Sequence, residues 1–468
     1  MFIGRERELA TLSGLYQTNR FQFPVVYGRR RVGKTSLLAT FTQDKPTVFF
    51  TAVEDSPLAN LKNLSRAIYG LDQPGADLEL APIYADFQSA FEAVFARART
   101  RRIVFVIDEY PYLAGANPSI SSTLQMLIDR HKDESQLFLI LCGSSLSFMK
   151  EQVLGEKSPL YGRRTAQIEL KPFDYFDARR FFPGASAEQA ATYYGIAGGI
   201  PLYLREFDDS LPLLDNIEQA LLNPSSLLYE EPMNLLKREV QKAALYNAII
   251  TAIAQGKSTN NEIATTAGIQ SSEATYYLKE LQRIGLVRRV SPIVAAGRRS
   301  YYRLNDNLFR FWARFVLPSK TAIERGMARR ALARIDEHLP EYMGPVFEDI
   351  CREWLWRQNV AGVLPVEFDD AGTWWGPDPR TRTEEGIDIV CVSDSQPSIV
   401  AECKWNNQSV GVSVSEKLHE RSELIHASAT AERYLFAKRD FTDACLVAAE
   451  GDAHLHLVRL EDMGNFTV

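Results

Sequence analysis

A short apolar run, Pro24-Val25-Val26-Tyr27, leads into Gly28-Arg29-Arg30-Arg31-Val32-Gly33-Lys34-Thr35-Ser36, and a helical stretch, Leu37–Phe41, follows. No other segment of the 468-residue chain constrains the fold as strongly. In a strand, a glycine-bounded loop and a helix in this order, successive backbone N–H groups curl inward around phosphate. The helix N-terminus adds the positive end of its dipole. In that setting Lys34 reaches the β- and γ-phosphates of a nucleoside triphosphate and the Thr35 hydroxyl binds Mg²⁺. The whole Gly28–Ser36 loop is read as the cofactor-binding segment. Such a loop sits at the C-terminal edge of a parallel sheet, so the surrounding chain has to supply one.

The surrounding chain has that pattern. Pro24–Tyr27, Thr47–Thr51, Ile103–Ile107 and Leu137–Cys142 are short, apolar and rich in branched residues, and helical stretches such as Asp86–Arg99 and Ile120–His131 lie between them. Buried strands separated by helices predict a parallel sheet covered on both faces, an α/β fold. The strand Ile103–Ile107 ends in Asp108-Glu109, at the crevice edge of such a sheet. Asp108 is placed to hold the Mg²⁺ shell and Glu109 to polarise the attacking water. Leu137–Cys142 ends in Gly143-Ser144-Ser145; these hydroxyls either touch the γ-phosphate region or make an ordinary turn.

Composition removes several alternatives. With 46% apolar and 24% charged residues the chain has material for several cores and is not disordered. No apolar run approaches the roughly 18–20 residues of a bilayer helix. The start, Met1–Ala10, carries charges where a signal peptide needs an apolar stretch, so a cytoplasmic protein is expected. The five cysteines form no CxxC pair, which argues against a disulfide framework and a zinc site. His454-x-His456 is read as structural. Net charge is −6 but uneven: Lys279–Arg334 holds 14 Lys/Arg against three acids, a local +11. That basic stretch either contacts a polyanion or pairs with acidic parts of the same chain.

The opening Phe2-Ile3-Gly4-Arg5-Glu6-Arg7-Glu8-Leu9, the GRRRVGKTS loop, Ser158-Pro159-Leu160-Tyr161-Gly162-Arg163-Arg164 and Ala197-Gly198-Gly199-Ile200-Pro201 resemble, in this order, the archaeal-type ATPase family, relatives of the STAND and AAA+ ATPases. The resemblance implies a P-loop NTPase core with a helical lid and a winged helix, an ATP cofactor, and a possible homo-oligomer. It also implies that Arg163 or Arg164 senses or stabilises the γ-phosphate, and that Gly199-Ile200-Pro201 is a lid motif near the nucleotide.

The expected organisation is an ATPase core over 1–171, a helical lid over 172–240, a winged helix over 241–318, a basic helical linker over 319–335 and a second α/β domain over 336–468. In the winged helix, Thr259-Asn260-Asn261-Glu262 fits a capping box opening Glu262–Ala267, and a second helix runs Ser272–Ile284. Strands Leu286–Val290 and Ser300–Leu304, joined through Ala295-Ala296-Gly297, form the wing. Arg288, Arg289, Arg298 and Arg299 of the wing are the expected DNA-phosphate contacts; packing within the chain is the other use of this pattern.

In the last domain, Glu348 lies in an apparent helix, Pro345–Arg357. Asp388 sits among Ile and Val, and Ala401-Glu402-Cys403-Lys404 is a strand that puts Glu402 and Lys404 on one face. Acids and a lysine inside apolar strands are costly unless they pair or bind metal. The set is that of a metal-dependent phosphodiesterase: Asp388 and Glu402 bind Mg²⁺, and Lys404 orients or deprotonates water. It resembles the PD-(D/E)XK restriction-endonuclease-like domain that some archaeal-type ATPases carry, with Ile387 where the motif name has Pro. The resemblance implies an ATPase switch controlling a nuclease that acts on DNA. A DNA-binding regulatory protein without cleavage is the alternative.

Overall fold

The computed structural model describes residues 2–240, 242–294 and 300–464. It divides into two compact units, Met1–Pro172 with Ile200–Leu202, and Phe173–Gly199 with Tyr203–Val468.

In the first unit, strands β1 (Pro24–Tyr27), β2 (Thr47–Thr51), β3 (Ile103–Asp108), β4 (Leu137–Gly143) and β5 (Ala166–Glu169) form one parallel sheet in the order β2-β3-β4-β1-β5. Every residue of β1, β3 and β4 is buried, as expected of strands covered on both faces. The expected strands are present, two of them longer by one residue. The edge strand β5 was not anticipated. Its Ala-Gln-Ile-Glu sequence has one buried apolar residue, Ile168, because an edge strand pairs on one side only. Helix Phe87–Arg97 begins where Asp86 accepts a hydrogen bond from Ser89 N at 2.7 Å, and Ile120–His131 matches its expected limits. Packed rings of Phe21, Phe91, Phe95 and Phe105 fill the core on one side of the sheet.

The second unit opens with helices, among them Ala187–Ala197, Leu213–Leu221 and Leu227–Glu239. Three more follow, Ala243–Ala254, Asn260–Ala267 and Ser271–Arg283, and then an antiparallel ribbon of β6 (Val287–Val290) and β7 (Tyr301–Leu304). The capping box is formed: Glu262 N donates to Thr259 Oγ1 at 3.3 Å and Thr259 N to Glu262 Oε2 at 2.9 Å. The expected turn Ala295-Ala296-Gly297, with Arg298 and Arg299, lies outside the described residues.

One expected boundary is not a break. A single helix, Ala328–Val360, runs through residue 335, the end of the expected linker. Pro340 and Pro345 lie inside it, each removing one backbone hydrogen bond. Burial of Ile335, Leu339, Tyr342, Met343, Val346, Phe347 and Ile350 along one stripe outweighs the two prolines. The helix leads into a five-stranded mixed sheet of β8 (Asp370–Pro377), β9 (Glu384–Ser393), β10 (Gln396–Lys404), β11 (Glu432–Ala437) and β12 (Leu455–Arg459), ordered β12-β11-β10-β9-β8. β8, β9 and β10 run antiparallel; β10, β11 and β12 run parallel, joined by helices Val412–Leu424 and Asp443–Glu450. Among the described residues no helix is long and apolar enough to cross a membrane.

Candidate functional site

The phosphate loop follows from close packing at the end of β1. A Cβ on Gly28 would stand 2.3 Å from the Leu170 carbonyl oxygen, so only glycine lets the loop pass the chain leaving β5. Arg31 (φ 69°) and Gly33 (φ 92°) are left-handed, the kind of alternation that turns successive N–H groups inward. Helix Lys34–Thr42 starts at once. Lys34 is 5% exposed, and its Nζ donates to Gly28 O at 3.0 Å and Arg29 O at 2.9 Å. Burial pushes its pKa below the usual lysine range, while the nearby Glu109 and Asp108 act against that.

Asp108 ends β3 and is 1% exposed. Its Oδ2 accepts from Thr35 Oγ1 at 2.8 Å and its Oδ1 from Glu109 N at 3.0 Å. A hydroxyl and a carboxylate held together are hard oxygen donors, the set a divalent cation such as Mg²⁺ takes. Glu109 adopts a left-handed backbone (φ 51°), and its Oε2 accepts from Ser144 Oγ at 2.8 Å and Ser144 N at 3.3 Å. The two serines after β4 therefore divide: Ser144 joins the site, and Ser145 caps the short helix Leu146–Phe148.

Several neighbours complete the site, of which Arg5 and Cys142 were given no role there from sequence. Arg5 donates to Val32 O at 3.1 Å and Lys171 O at 2.6 Å, tying the start of the chain to the loop. Arg30 donates to Tyr112 Oη at 2.7 Å. Cys142 lies beside Asp108, and its thiol pKa is pushed up by burial and then by that carboxylate. Pro201 Cγ is 3.8 Å from where a Cβ on Gly33 would stand, so the Ile200-Pro201 motif does reach the loop.

Arg163 and Arg164 do not reach it within one chain. β5 runs parallel to β1, with Pro24 opposite Ala166 and Tyr27 opposite Glu169. The backbone of the pair precedes β5, about 13 Å of strand from the loop, while the Arg164 side chain extends far enough for its charge to act on the Tyr27 hydroxyl. There Arg163 pairs with Asp129 (Nη2 to Oδ2, 2.6 Å) and Arg164 donates to Leu154 O at 3.0 Å.

In the second unit, Glu348, Asp388, Glu402 and Lys404 converge. β9 and β10 pair with Ile389 opposite Ala401, which sets Asp388 beside the Glu402–Cys403 segment, and Cys403 N donates to Asp388 Oδ2 at 2.9 Å. Glu402 is 6% exposed; its Oε1 accepts from Lys404 Nζ at 2.6 Å, and Arg421 Nη1 donates to both its oxygens at 3.2 Å. Arg421, from helix Val412–Leu424, was missed because nothing in its local sequence points at β10. Burial, and then the facing Glu402, raise the Asp388 carboxyl to about 6. Burial, and then Asp388, raise Glu348 to about 7. Among the described residues no group of three or more His, Cys, Asp or Glu side chains is placed to hold a metal ion.

The wing arginines divide. Arg289 is exposed, with Nε donating to Ser300 Oγ at 2.6 Å. Arg288, expected to face DNA, instead donates to Asp349 Oδ1 at 2.8 Å, and Arg303 donates to Asp349 Oδ2 at 3.0 Å. Burial works against ionisation of Asp349, but Arg303, Arg288 and Arg352 hold its carboxyl far below the usual range. Arg298 and Arg299 lie outside the described residues.

Residues 2–207 match a family described as an ATPase domain predominantly from Archaea. Residues 312–419 match a family of archaea bacterial proteins of unknown function. An uncharacterized protein of Methanocaldococcus jannaschii is 33% identical over 410 residues, 87% of this chain and 88% of that one. An uncharacterized ATP-binding protein of the same organism is 42% identical over 45 residues, 10% of this chain and 76% of that one. Among solved structures, a Walker-type ATPase of Pyrococcus abyssi aligns with TM-score 0.51 and 19% identity, covering 67% of this chain and 96% of that one, a likeness of fold. With a P-loop at the edge of a parallel sheet and a relative matched over most of both lengths, the chain belongs to the archaeal-type ATPase family, and its N-terminal unit is an ATP-binding ATPase domain.

Proposed function

We propose that the chain is an Mg²⁺-dependent ATP switch, working in the cytoplasm, that controls a C-terminal restriction-endonuclease-like domain of the PD-(D/E)XK kind acting on DNA. In the ATPase site, Lys34 holds the β- and γ-phosphates, Thr35 and Asp108 hold Mg²⁺, and Glu109 orients water once Ser144 releases its carboxylate. Mg²⁺ supplies charge neutralisation across the phosphates. Arg163 is paired with Asp129 and Arg164 bonds Leu154 O, so the γ-phosphate that this pair serves belongs to a second copy of the chain.

The observation that carries the nuclease reading is the pairing of Asp388 and Glu402 across β9 and β10, with Glu348 facing Asp388 and Lys404 on Glu402. The repulsion that raises these facing carboxyls would be relieved by a divalent cation, for which Asp388, Glu402 and Glu348 would have to draw together. The ion would activate water for attack on a phosphodiester, with Lys404 orienting it. The three helices before β6–β7 serve as a winged helix, with Arg289, Arg298 and Arg299 on DNA phosphates.

One observation favours a second reading, a regulatory DNA-binding protein without cleavage. Both Glu402 oxygens are already held by Arg421, and Lys404 adds a further bond. A plasmid-nicking assay on the full chain with Mg²⁺ or Mn²⁺, with and without ATP, separates the two. The nuclease reading expects nicking by wild type, loss in Asp388→Ala and Lys404→Ala, and ATP turnover within about twofold of wild type in both, because the sites lie in separate units. Absence of nicking on single- and double-stranded DNA, together with no metal binding by calorimetry, would establish the regulatory reading.

A further inference from the structure

A cleft of about 750 Å³ lies wholly within the second unit, walled by the Gly256 turn after helix Ala243–Ala254, by β7, by the segment 310–318 and by the long helix Ala328–Val360. Its lining holds five cationic side chains, Lys257, Arg303, Arg310, Arg314 and Arg334, against one acid, Glu341. That acid is paired with Arg314 at 3.0 Å, so most of the positive charge is uncompensated from within the lining.

Arg310 is the telling residue. Its Nε and Nη2 are buried and make no hydrogen bond, while its guanidinium stacks over the Tyr342 ring at 4.7 Å. Those two nitrogens are covered from the cleft and leave the guanidinium charge without a bonded counter-ion, so an anion in the cleft is favoured by that charge and not by these donors. Arg303 reaches the same cleft, and burial lowers its pKa. One of its nitrogens donates to Pro345 O at 2.9 Å and to Asp349 Oδ2 at 3.0 Å.

We propose that this cleft binds a small ligand bearing adjacent phosphates, of the size of a nucleoside diphosphate. The volume lies within the roughly 300–1,000 Å³ of small-molecule sites. Guanidiniums in a row recognise phosphate oxygens in forked pairs. Tyr302 on the wall offers an aromatic ring for a base, whereas the Tyr301 ring packs on Trp375. A DNA duplex is disfavoured because no residue of helix Ser271–Arg283, the helix that would enter a groove, lines the cleft. Through Arg303 the bound ligand is read at Asp349, the residue next to Glu348. The site itself does not depend on the nuclease reading.

The test uses the full chain carrying Lys34→Ala, which removes phosphate binding at the P-loop, and calorimetry with pyrophosphate, ADP and a 20-base-pair duplex as probes. Pyrophosphate or ADP is expected to bind at one site per chain and to weaken tenfold or more on adding Arg310→Gln or Arg334→Glu. Arg334 is exposed, so the second change keeps the fold, which circular dichroism checks. Tighter binding of ADP assigns a nucleotide, and tighter binding of pyrophosphate assigns a bare polyphosphate; both support the site. Binding of neither, binding indifferent to both substitutions, or binding of the duplex alone would overturn it.

Discussion

The P-loop site and the C-terminal carboxylate site each rest on an aspartate from a strand of a five-stranded sheet, but they settle its charge differently. Asp108 receives a hydroxyl and a backbone N–H from residues built for it, and Lys34 stands nearby. Its partners come from one contiguous loop and the next residue in the chain. Asp388 receives one backbone N–H and faces two further acids, with Lys404 and Arg421 turned to Glu402. Its environment is assembled from side chains on one long helix, two strands and a second helix. A site made of backbone tolerates little change in its loop, whereas one made of side chains can be retuned position by position.

That contrast breaks if the two sites are coupled through folding. Lys34→Ala removes one partner of a buried charge interaction, so ATP affinity is expected to fall by about 4 kcal/mol, on the order of 10³-fold, while Asp388→Ala leaves it within about twofold. Calorimetry with ATP on both variants measures this; a comparable loss in Asp388→Ala would show that the sites are not separate.

The contrast sharpens if the P-loop site is completed by another copy. Arg163→Ala with Arg164→Ala is expected to leave ATP binding intact and slow turnover roughly 100-fold. Mixing that protein with Lys34→Ala should recover part of the turnover, since each supplies what the other lacks. A mixture no faster than the arginine variant alone refutes the assignment.

The smallest effect concerns Glu353, another acid of the long helix. It accepts from Tyr175 N and Tyr194 Oη, both at 2.8 Å, and burial, then Asp174, raises its carboxyl to about 8. A carboxyl raised on folding favours the protonated native state, so its contribution is full below about pH 4.5 and is lost as pH rises through 8. Glu353→Gln should therefore melt about 2–4 °C above wild type at pH 8 and within about a degree of it near pH 5. Parallel melting curves of the two proteins at every pH would remove Glu353 from the account.

Contiguity also decides what could be read from sequence. Lys34, Thr35, Asp108 and Glu109 were legible although 73 residues separate Thr35 from Asp108, because each group directly follows a buried apolar strand, and parallel strands bring their C-terminal ends to one edge of the sheet. The place of Arg163 and Arg164 was not legible because β5 is short and polar; without it, nothing says which end of the sheet the pair adjoins. Arg288 was assigned to DNA with the other arginines of the wing because a cluster of charge does not say what covers it, and Asp349 lies 61 residues away. The limit at 335 was drawn where the run of arginines ends, while the burial that carries one helix through it comes from elements distant in sequence.

The helix Ala328–Val360 gives that burial a mechanical consequence. At 1.5 Å per residue it is a beam about 50 Å long. Arg334 in the cationic cleft stands towards one end, Glu348 past its middle, and Glu353 and Arg357 towards the other, where Arg357 grips Asp174 at 2.6 Å. Pro340 and Pro345 delete two of its rungs between Arg334 and the carboxylates, along the wall of the cleft itself, so that stretch is its most compliant part. A deflection of about 5° there carries the far end through roughly an ångström or two, a stroke comparable with the reach of a single hydrogen bond.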